Sequence, residues 1–523
     1  MNSSKLLFAV ATILGACGLG DAEPGQDSQE VDEEVGEAAE ALTAGEPLAL
    51  RGPVRLQAGS LLGVLATTAS RWVIYQDGLK VYATQPVPDA PRILLTEATV
   101  PSVETLVDGD TVMLWPDQAA FSPTVPGRFV VWRPRMTPRV LGTRVVVPTS
   151  TAFPPGVAAS PDGRHVLFLD NVDAAGARGE VVLESLERPQ RMVVASGVDT
   201  DYASGTCPPS LGFRAQVAGD RHAQPLAAYC QAGATGATLS TVQGGAPRVL
   251  ASGLAAPQTV QSRAGLVTAL TSSLQPISIS RSGATQVLDA DPAYLLIPTE
   301  RGEVLSYSVD AASGSTVLKR LQPGATGASR VVGPLSAVSF AASHLPIGGH
   351  SYYTDDMLAP RERGMMIWGN DPVSGSLDLQ LVDPRGRSST TTLGPAATCG
   401  PAFEPFSRDG RHALLYCLNA AAGSYSLLTA SHDTPAQVIS SGATAFQHFG
   451  LAGSEILYAD NVTATATGVA FDLKLADLQA PAAQTTLIAG AATNFVLTAD
   501  RRHVVYSRED DPQSAGLYLA RVR

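Results

Sequence analysis

The feature that most constrains this 523-residue chain is a short stretch that occurs three times. Ser160-Pro161-Asp162-Gly163-Arg164-His165 runs into the apolar Val166-Leu167-Phe168-Leu169. Ser407-Arg408-Asp409-Gly410-Arg411-His412 runs into Ala413-Leu414-Leu415-Tyr416, and Thr498-Ala499-Asp500-Arg501-Arg502-His503 into Val504-Val505-Tyr506. Each copy reads as a turn followed by a buried strand. Asp-Gly gives a tight turn in which glycine takes a positive φ, and the β-branched and aromatic residues that follow suit a strand. Self-similarity at wide, regular spacing points to an array of like units.

From residue 48 onward the chain consists of short apolar runs separated by Gly, Pro, Asp and Ser, with almost no helical periodicity. Candidate core strands fall at 72–75, 112–115, 166–169, 226–229, 266–270, 304–307, 365–368, 413–416, 456–458 and 504–506. Their mean spacing, about 48 residues, is the size of one four-stranded blade. The predicted fold class is all-β, a β-propeller of four-stranded blades with about 8–10 repeats. Ten marks exceed the usual number of blades. One large ring, two smaller rings, or weak marks at 266 and 304 that belong to embellished blades all remain open. After Leu517-Tyr518-Leu519-Ala520 the last repeat is one strand short, and residues 48–56 are the predicted donor of that strand.

The Ser-Pro-Asp-Gly-Arg stretch resembles the repeat of TolB-like (WD40-like) β-propellers, where it marks the turn between the first and second strands of a blade. The match is fullest at Ser160 to Phe168, has lost its proline at Arg408, and has lost serine and glycine at Thr498 and Arg501. TolB-like proteins join an α/β domain to the propeller and take part in envelope protein complexes. Here an acidic stretch precedes the repeats instead, so the resemblance covers the repeats alone.

Residues 1–17 have the pattern of an export signal, with Lys5 before an apolar run over 6–14 and Leu14-Gly15-Ala16-Cys17 at the end. That ending is similar to the bacterial lipoprotein box, and it implies lipidation at Cys17 and an acyl anchor in the cell envelope, most simply the outer membrane. The rival reading is an ordinary secretory signal with a chance cysteine. Residues 18–47 hold ten carboxylates and no Lys or Arg, the composition of a disordered, self-repelling acidic linker. The chain's formal charge of −12 sits mostly there; 38 carboxylates and 35 basic side chains nearly balance in residues 48–523. No basic surplus remains for nucleic acid. The domains are therefore a signal peptide and lipobox (1–17), a linker (18–47) and a propeller (48–523).

Four cysteines fall in two similar contexts. Cys207 and Cys230, like Cys399 and Cys417, stand on either side of an Arg-His step, one before the first strand of a blade and one at the end of the second. Antiparallel neighbours bring such positions together, so bridges Cys207 to Cys230 and Cys399 to Cys417 are predicted, as an exported protein permits. A four-thiolate zinc site is the alternative, and it lacks any Cys-x-x-Cys.

Chemistry is harder to find. His165, His222, His412 and His503 share the Arg-His step, which favours a structural role repeated from blade to blade. Gly-x-Ser-x-Gly, His-Glu-x-x-His and the phosphate-cradling loop are absent from the sequence. Asp108-Gly109-Asp110 and Asp289-Ala290-Asp291 read as turns before they read as calcium sites or paired carboxylates. The stretch 341–371 differs most from its neighbours. Its His344, His350, Tyr352, Tyr353, Asp355, Asp356, Arg361 and Arg363 make a candidate binding loop, the rival being an enlarged connection between blades, and a metal site there has less support.

The sequence thus predicts a lipid-anchored envelope β-propeller that binds an envelope protein or glycan, needs no cofactor or metal, and is not an enzyme. The alternative is an exported hydrolase or lyase that acts on glycan or peptide through carboxylates at a channel mouth.

Overall fold

The computed structural model describes residues 53–522 apart from a number of connecting stretches, the longest of them 335–364. Among the described residues there is no helix. The strands form consecutive antiparallel sheets, each a simple up-and-down meander, in the order of the chain. Blades 1 to 6 span 62–97, 102–145, 157–199, 213–254, 261–287 and 293–334, with four strands each. Blade 7 (365–395) has three described strands, and blade 8 (399–443) has four. Blades 9 and 10 share one seven-stranded sheet, because the strand Gln484–Leu497 pairs early with Val469–Asp477 and late with His503–Arg508.

Every expected core strand is a strand, and in all blades but the seventh it is the second of its blade. The marks at 266 and 304 have sheets of their own, which removes the reading that assigned them to embellished blades. Second strands are largely apolar because both of their faces are covered, with Thr268, Ser306 and Ser308 among the buried hydroxyl exceptions. Val112–Trp115 and residues 413–416 and 504–506 are wholly buried. Ile74 and Val81 of blade 1 pack with Leu114 and Trp132 of blade 2, and Tyr416 of blade 8 with Ile456 and Tyr458 of blade 9.

Fourth strands follow a different rule. In blades 1, 2, 3, 4 and 8 the register slips by one residue, leaving Leu95, Leu141, Val194, Leu250 and Ile439 without a partner on the third strand. Each of these bulged residues is buried, and the residue before it is an exposed aliphatic: Val249 is 59% exposed and Leu250 5%. A bulge breaks the flat edge that another strand would need for pairing, and it turns one apolar side chain inward at the same time.

The last blade is completed from the start of the chain. Val54–Ala58 pairs antiparallel with Gly516–Arg521, Val54 opposite Leu519 and Ala58 opposite Gly516. Leu56, Leu62, Val64 and Tyr75 then share one cluster with Val505, Leu517 and Leu519, so the first and last blades pack together. In blade 8, Cys399 lies opposite Cys417 in the register, with the Cα atoms 4.0 Å apart and the sulfurs at bonding distance. Cys399 opens the first strand, Cys399–Phe406, and does not precede it. Cys207 lies outside the described residues, and Cys230 stands opposite Leu239 in blade 4.

Candidate binding face

One construction recurs at the turn between first and second strands. In blades 1, 6, 8 and 10 a hydroxyl residue (Thr68, Thr299, Ser407, Thr498) accepts the backbone N–H of the residue that leads into the second strand (Trp72, Glu303, His412, His503), at 3.1 Å each time. Three residues after the hydroxyl the backbone is left-handed: Arg71 (φ 66°), Gly302 (78°), Gly410 (69°) and Arg501 (54°). Each of those donates its N–H back to the carbonyl of the hydroxyl residue at 2.7–3.1 Å. In the two aspartate-bearing versions, Ser407 and Thr498 also donate to Asp409 and Asp500 at 2.6 Å, and the carboxylates accept the N–H of Arg411 and Arg502. Burial pushes the Asp500 carboxyl up, but the Thr498 hydroxyl and the Arg502 N–H, with His503 and Arg71 nearby, hold it below the usual carboxylate range. His412 is half-buried and His503 buried, and burial pushes both imidazoles down.

These turns share one face of the molecule and are tied to each other across blades. Ala69 N–H donates to the Gly109 carbonyl at 2.7 Å and Ser70 to both oxygens of Asp110. Arg71 and Asp500 form an ion pair at 3.8 Å, the Arg501 guanidinium donates to the Gly450 carbonyl, and Asp409 N–H to the Gly453 carbonyl at 3.1 Å. Blades 8, 9, 10, 1 and 2 are thus stitched in a row along this edge. Turns between third and fourth strands reach the same face, as the Leu186 N–H to Arg164 carbonyl and Leu478 N–H to Ser454 carbonyl bonds show.

Arginine separates with the topology, whereas carboxylates occur on both faces: the described connections of the turn face also hold Asp89, Asp110, Glu187, Glu303, Asp409, Asp433 and Asp500. Among the described residues of these connections, the first-to-second turns carry Arg71, Arg164, Arg301, Arg408, Arg411, Arg501 and Arg502, and the third-to-fourth turns add Arg133, Arg135 and Arg188. All but Arg133 and Arg501 are exposed. The described connections on the opposite face contain no Lys or Arg, and have Asp173, Asp289, Asp291 and Glu509. Exposed guanidinium groups with several donors each suit anionic ligands or acidic protein surfaces. The repeat motif disclosed part of this face. Thr68-Ala69-Ser70-Arg71 and Thr299-Glu300-Arg301-Gly302 escaped it because they build the turn without Asp-Gly-Arg-His, from a hydroxyl and a left-handed residue three positions on.

The remaining expected sites fall as follows. His344, His350, Tyr352, Tyr353, Asp355, Asp356, Arg361 and Arg363 lie outside the described residues, as does Cys17. Asp289 and Asp291 both accept from the buried Lys319 ammonium at 2.6 Å, so a lysine of blade 6 sits where a cation was one of the readings. Burial pushes Lys319 down, but the two carboxylates outweigh it and raise the ammonium above its ordinary value. Gly109 is left-handed (φ 72°) and Asp110 anchors Ser70, in keeping with the turn reading of that pair. Among the described residues no group of three or more His, Cys, Asp or Glu is arranged to hold a metal.

A second repeat links blades 3 and 9. Asp170-Asn171-Val172 and Asp460-Asn461-Val462 end or extend the second strands of blades 3 and 9. Asn171 and Asn461 are both left-handed (φ 51°), and their amides donate to Glu180 and Asp472 at 2.6 Å. Asp170 accepts the Arg144 N–H from the preceding blade at 3.1 Å and pairs with Arg191 at 2.6 Å. Asp460 accepts the Ser440 hydroxyl from its preceding blade and pairs with Lys474 at 2.7 Å. Both carboxylates are buried locks between blades.

The fold defines the class: an all-β protein built of β-propeller blades. No protein-family model matches the sequence, and no curated protein matches it. Solved structures match it at low identity and with TM-scores below 0.5. A eukaryotic initiation factor matches with 11% identity and a TM-score of 0.43, over 73% of this chain and 89% of that one. Dipeptidyl peptidase 4 of Porphyromonas gingivalis matches at 9% and 0.41, over 86% of this chain and 65% of that one. TolB from Acinetobacter baumannii matches at 11% and 0.24, over 61% and 79%. Likeness at this level carries no function across.

Proposed function

We propose that this chain is a lipid-anchored envelope β-propeller that binds a partner protein through its arginine-bearing turn face. The observation that carries the reading is the segregation of ten arginines to connections on one face, with none in the described connections on the other. Arginine is enriched at protein interfaces because its planar fork engages carboxylates and its stem adds contact area. Rigid, mutually bonded turns hold those side chains at fixed spacing, which lowers the entropy lost on binding. The partner's matching surface is acidic. The hydrolase alternative needs clustered carboxylates near the axis. The described first strands hold only Glu104 and Glu404, in blades 2 and 8. The lipid anchor at Cys17 and the location in the envelope belong to this proposal and rest on the sequence pattern.

The test is crosslinking and pull-down from intact cells that carry the native chain or an Arg188→Glu, Arg411→Glu variant. Reproducible capture of one or two envelope proteins, lost in the variant, supports the reading. Equal capture by both chains places the contact elsewhere, and shortening 341–371 then tests the candidate binding loop.

A further inference from the structure

We infer that the acidic stretch of this same chain, residues 21–46, lies against the arginine-bearing turn face and covers it from within. The inference rests on the reading of that face as a binding surface. It adds a first occupant, which a partner must displace.

Three observations carry it. The first is where the chain leaves the fold. Gly59 N–H bonds the Ala515 carbonyl at the end of the Val54–Ala58 strand, and Val54 stands opposite Leu519 at its start. Past Leu519, Val522 N–H bonds the carbonyl of Arg502, in the turn that carries Asp500 and the left-handed Arg501. Residues before Val54 therefore depart on the turn side, beside Arg502 and, across the Arg71–Asp500 pair, beside blade 1. The second is charge. Residues 21–46 carry ten carboxylates with no Lys or Arg, and in the described connections of the face they leave from, ten arginines, Arg411 and Arg502 exposed among them, outnumber the seven carboxylates Asp89, Asp110, Glu187, Glu303, Asp409, Asp433 and Asp500. The opposite face offers no cation in its described connections. The third is reach. At about 3.5 Å per extended residue, Glu46 can stand up to about 25 Å from Pro53 and Asp21 up to about 110 Å, enough to cross the face. Tethering raises the local concentration of the acidic stretch to the millimolar range, so individually weak pairs suffice.

The experiment uses the chain from Gly18 onward, free of lipid, and a glutamate-specific protease. At ~10 mM ionic strength, where charges act over about 30 Å, cutting within residues 21–46 is expected to be at least about five-fold slower than in a free peptide of residues 18–47. At ~1 M salt, where the range is about 3 Å, the difference disappears. Arg411→Glu with Arg502→Glu removes the protection at low salt. A second variant leaves the fold untouched. With Glu30→Gln, Asp32→Asn, Glu33→Gln and Glu34→Gln, trypsin cutting after Arg411 and Arg502 becomes faster than in the native chain. Cutting of the acidic stretch at the free-peptide rate in both salts overturns the inference. So does binding to phosphatidylglycerol vesicles at low salt while the stretch is still cut freely, which assigns the face to the membrane. The proposed partner contact is read separately, by capture from cells, and stands or falls on its own.

Discussion

The side chain of Asn494 pairs with the backbone of Val64 as a neighbouring strand would. Its Nδ2 donates to the Val64 carbonyl at 2.8 Å and its Oδ1 accepts the Val64 N–H at 3.4 Å, across 430 residues of sequence. Ser507 donates to the same Oδ1, and Thr67 donates to the Leu497 carbonyl at 2.6 Å. The first and last blades are thus held by side-chain amide and hydroxyl groups as well as by the apolar cluster around Leu56 and Tyr75. Asn494→Asp keeps the shape but places a carboxylate oxygen against the Val64 carbonyl. It is expected to cost about 1–3 kcal/mol in urea unfolding. Leu56→Ala, at a fully buried position of the donated strand, is expected to cost about 2–5 kcal/mol. An unchanged midpoint for both variants would contradict the described seam.

The Cys399–Cys417 bridge closes a loop of 18 residues. Replacing both by serine is expected to lower stability by about 3 kcal/mol through the unfolded chain's regained entropy. Denaturant titration of the variant beside the native chain measures it.

Acid sensitivity follows from His412 and His503. Burial lowers both below the ordinary 6.5, against the pull of Asp409 and Asp477 on the first and Asp500 on the second, and with Arg411, Arg71, Arg502 and Arg521 adding to the depression. The unfolded chain binds these protons more tightly than the folded one. Their contribution is therefore complete above pH 6.5 and declines as pH falls below it, levelling off beneath the folded values. Melting temperature should drop between pH 7 and 5, and the drop should shrink in His412→Gln, His503→Gln. A drop of the same size in that variant would assign the effect to other groups.

Gly142 has no room for a side chain. A Cβ there would stand 2.5 Å from Val145 Cγ2 and 2.9 Å from the Asp170 carboxyl carbon. Gly142→Ala is expected to cost about 1–3 kcal/mol by displacing the Asp170–Arg191 lock. Gly63→Ala, whose Cβ would meet nothing nearer than 3.8 Å, is the control and should be close to neutral.

Cys17→Ala is expected to move the chain from the membrane fraction to the soluble fraction of cells. Equal membrane association of both forms, measured by fractionation and blotting, would dismiss the acyl anchor.

The second strands were legible because burial on both faces writes an uninterrupted apolar run such as Val112–Trp115. The donated strand was legible as a deficit, one strand short after Ala520, though the pairing segment is Val54–Ala58, a few residues later than 48–56. Fourth strands were opaque for a physical reason. The bulge at Val140-Leu141 puts an exposed and a buried aliphatic side by side, and alternation, the signal that marks an edge strand, is lost there. The arginine face was equally hidden, since Arg71 and Asp500 come together only when residues 429 apart fold side by side. Asp289 and Asp291 invited a metal reading because nothing local announces Lys319, 28 residues downstream.

The donated strand also sets the order of events in time. Val54–Ala58 is made early, yet its pairing edge, Gly516–Arg521, is among the last parts of the described fold to be synthesised; Arg55 bonds the Gln513 carbonyl 458 residues away. Joining the ends is the pairing of longest sequence separation in the described fold, and contacts of that kind carry the largest loop-closure cost. A chain halted before residue 516 would hold nearly every blade and still leave an adhesive strand at its leading end, which makes the last few residues a checkpoint on the whole.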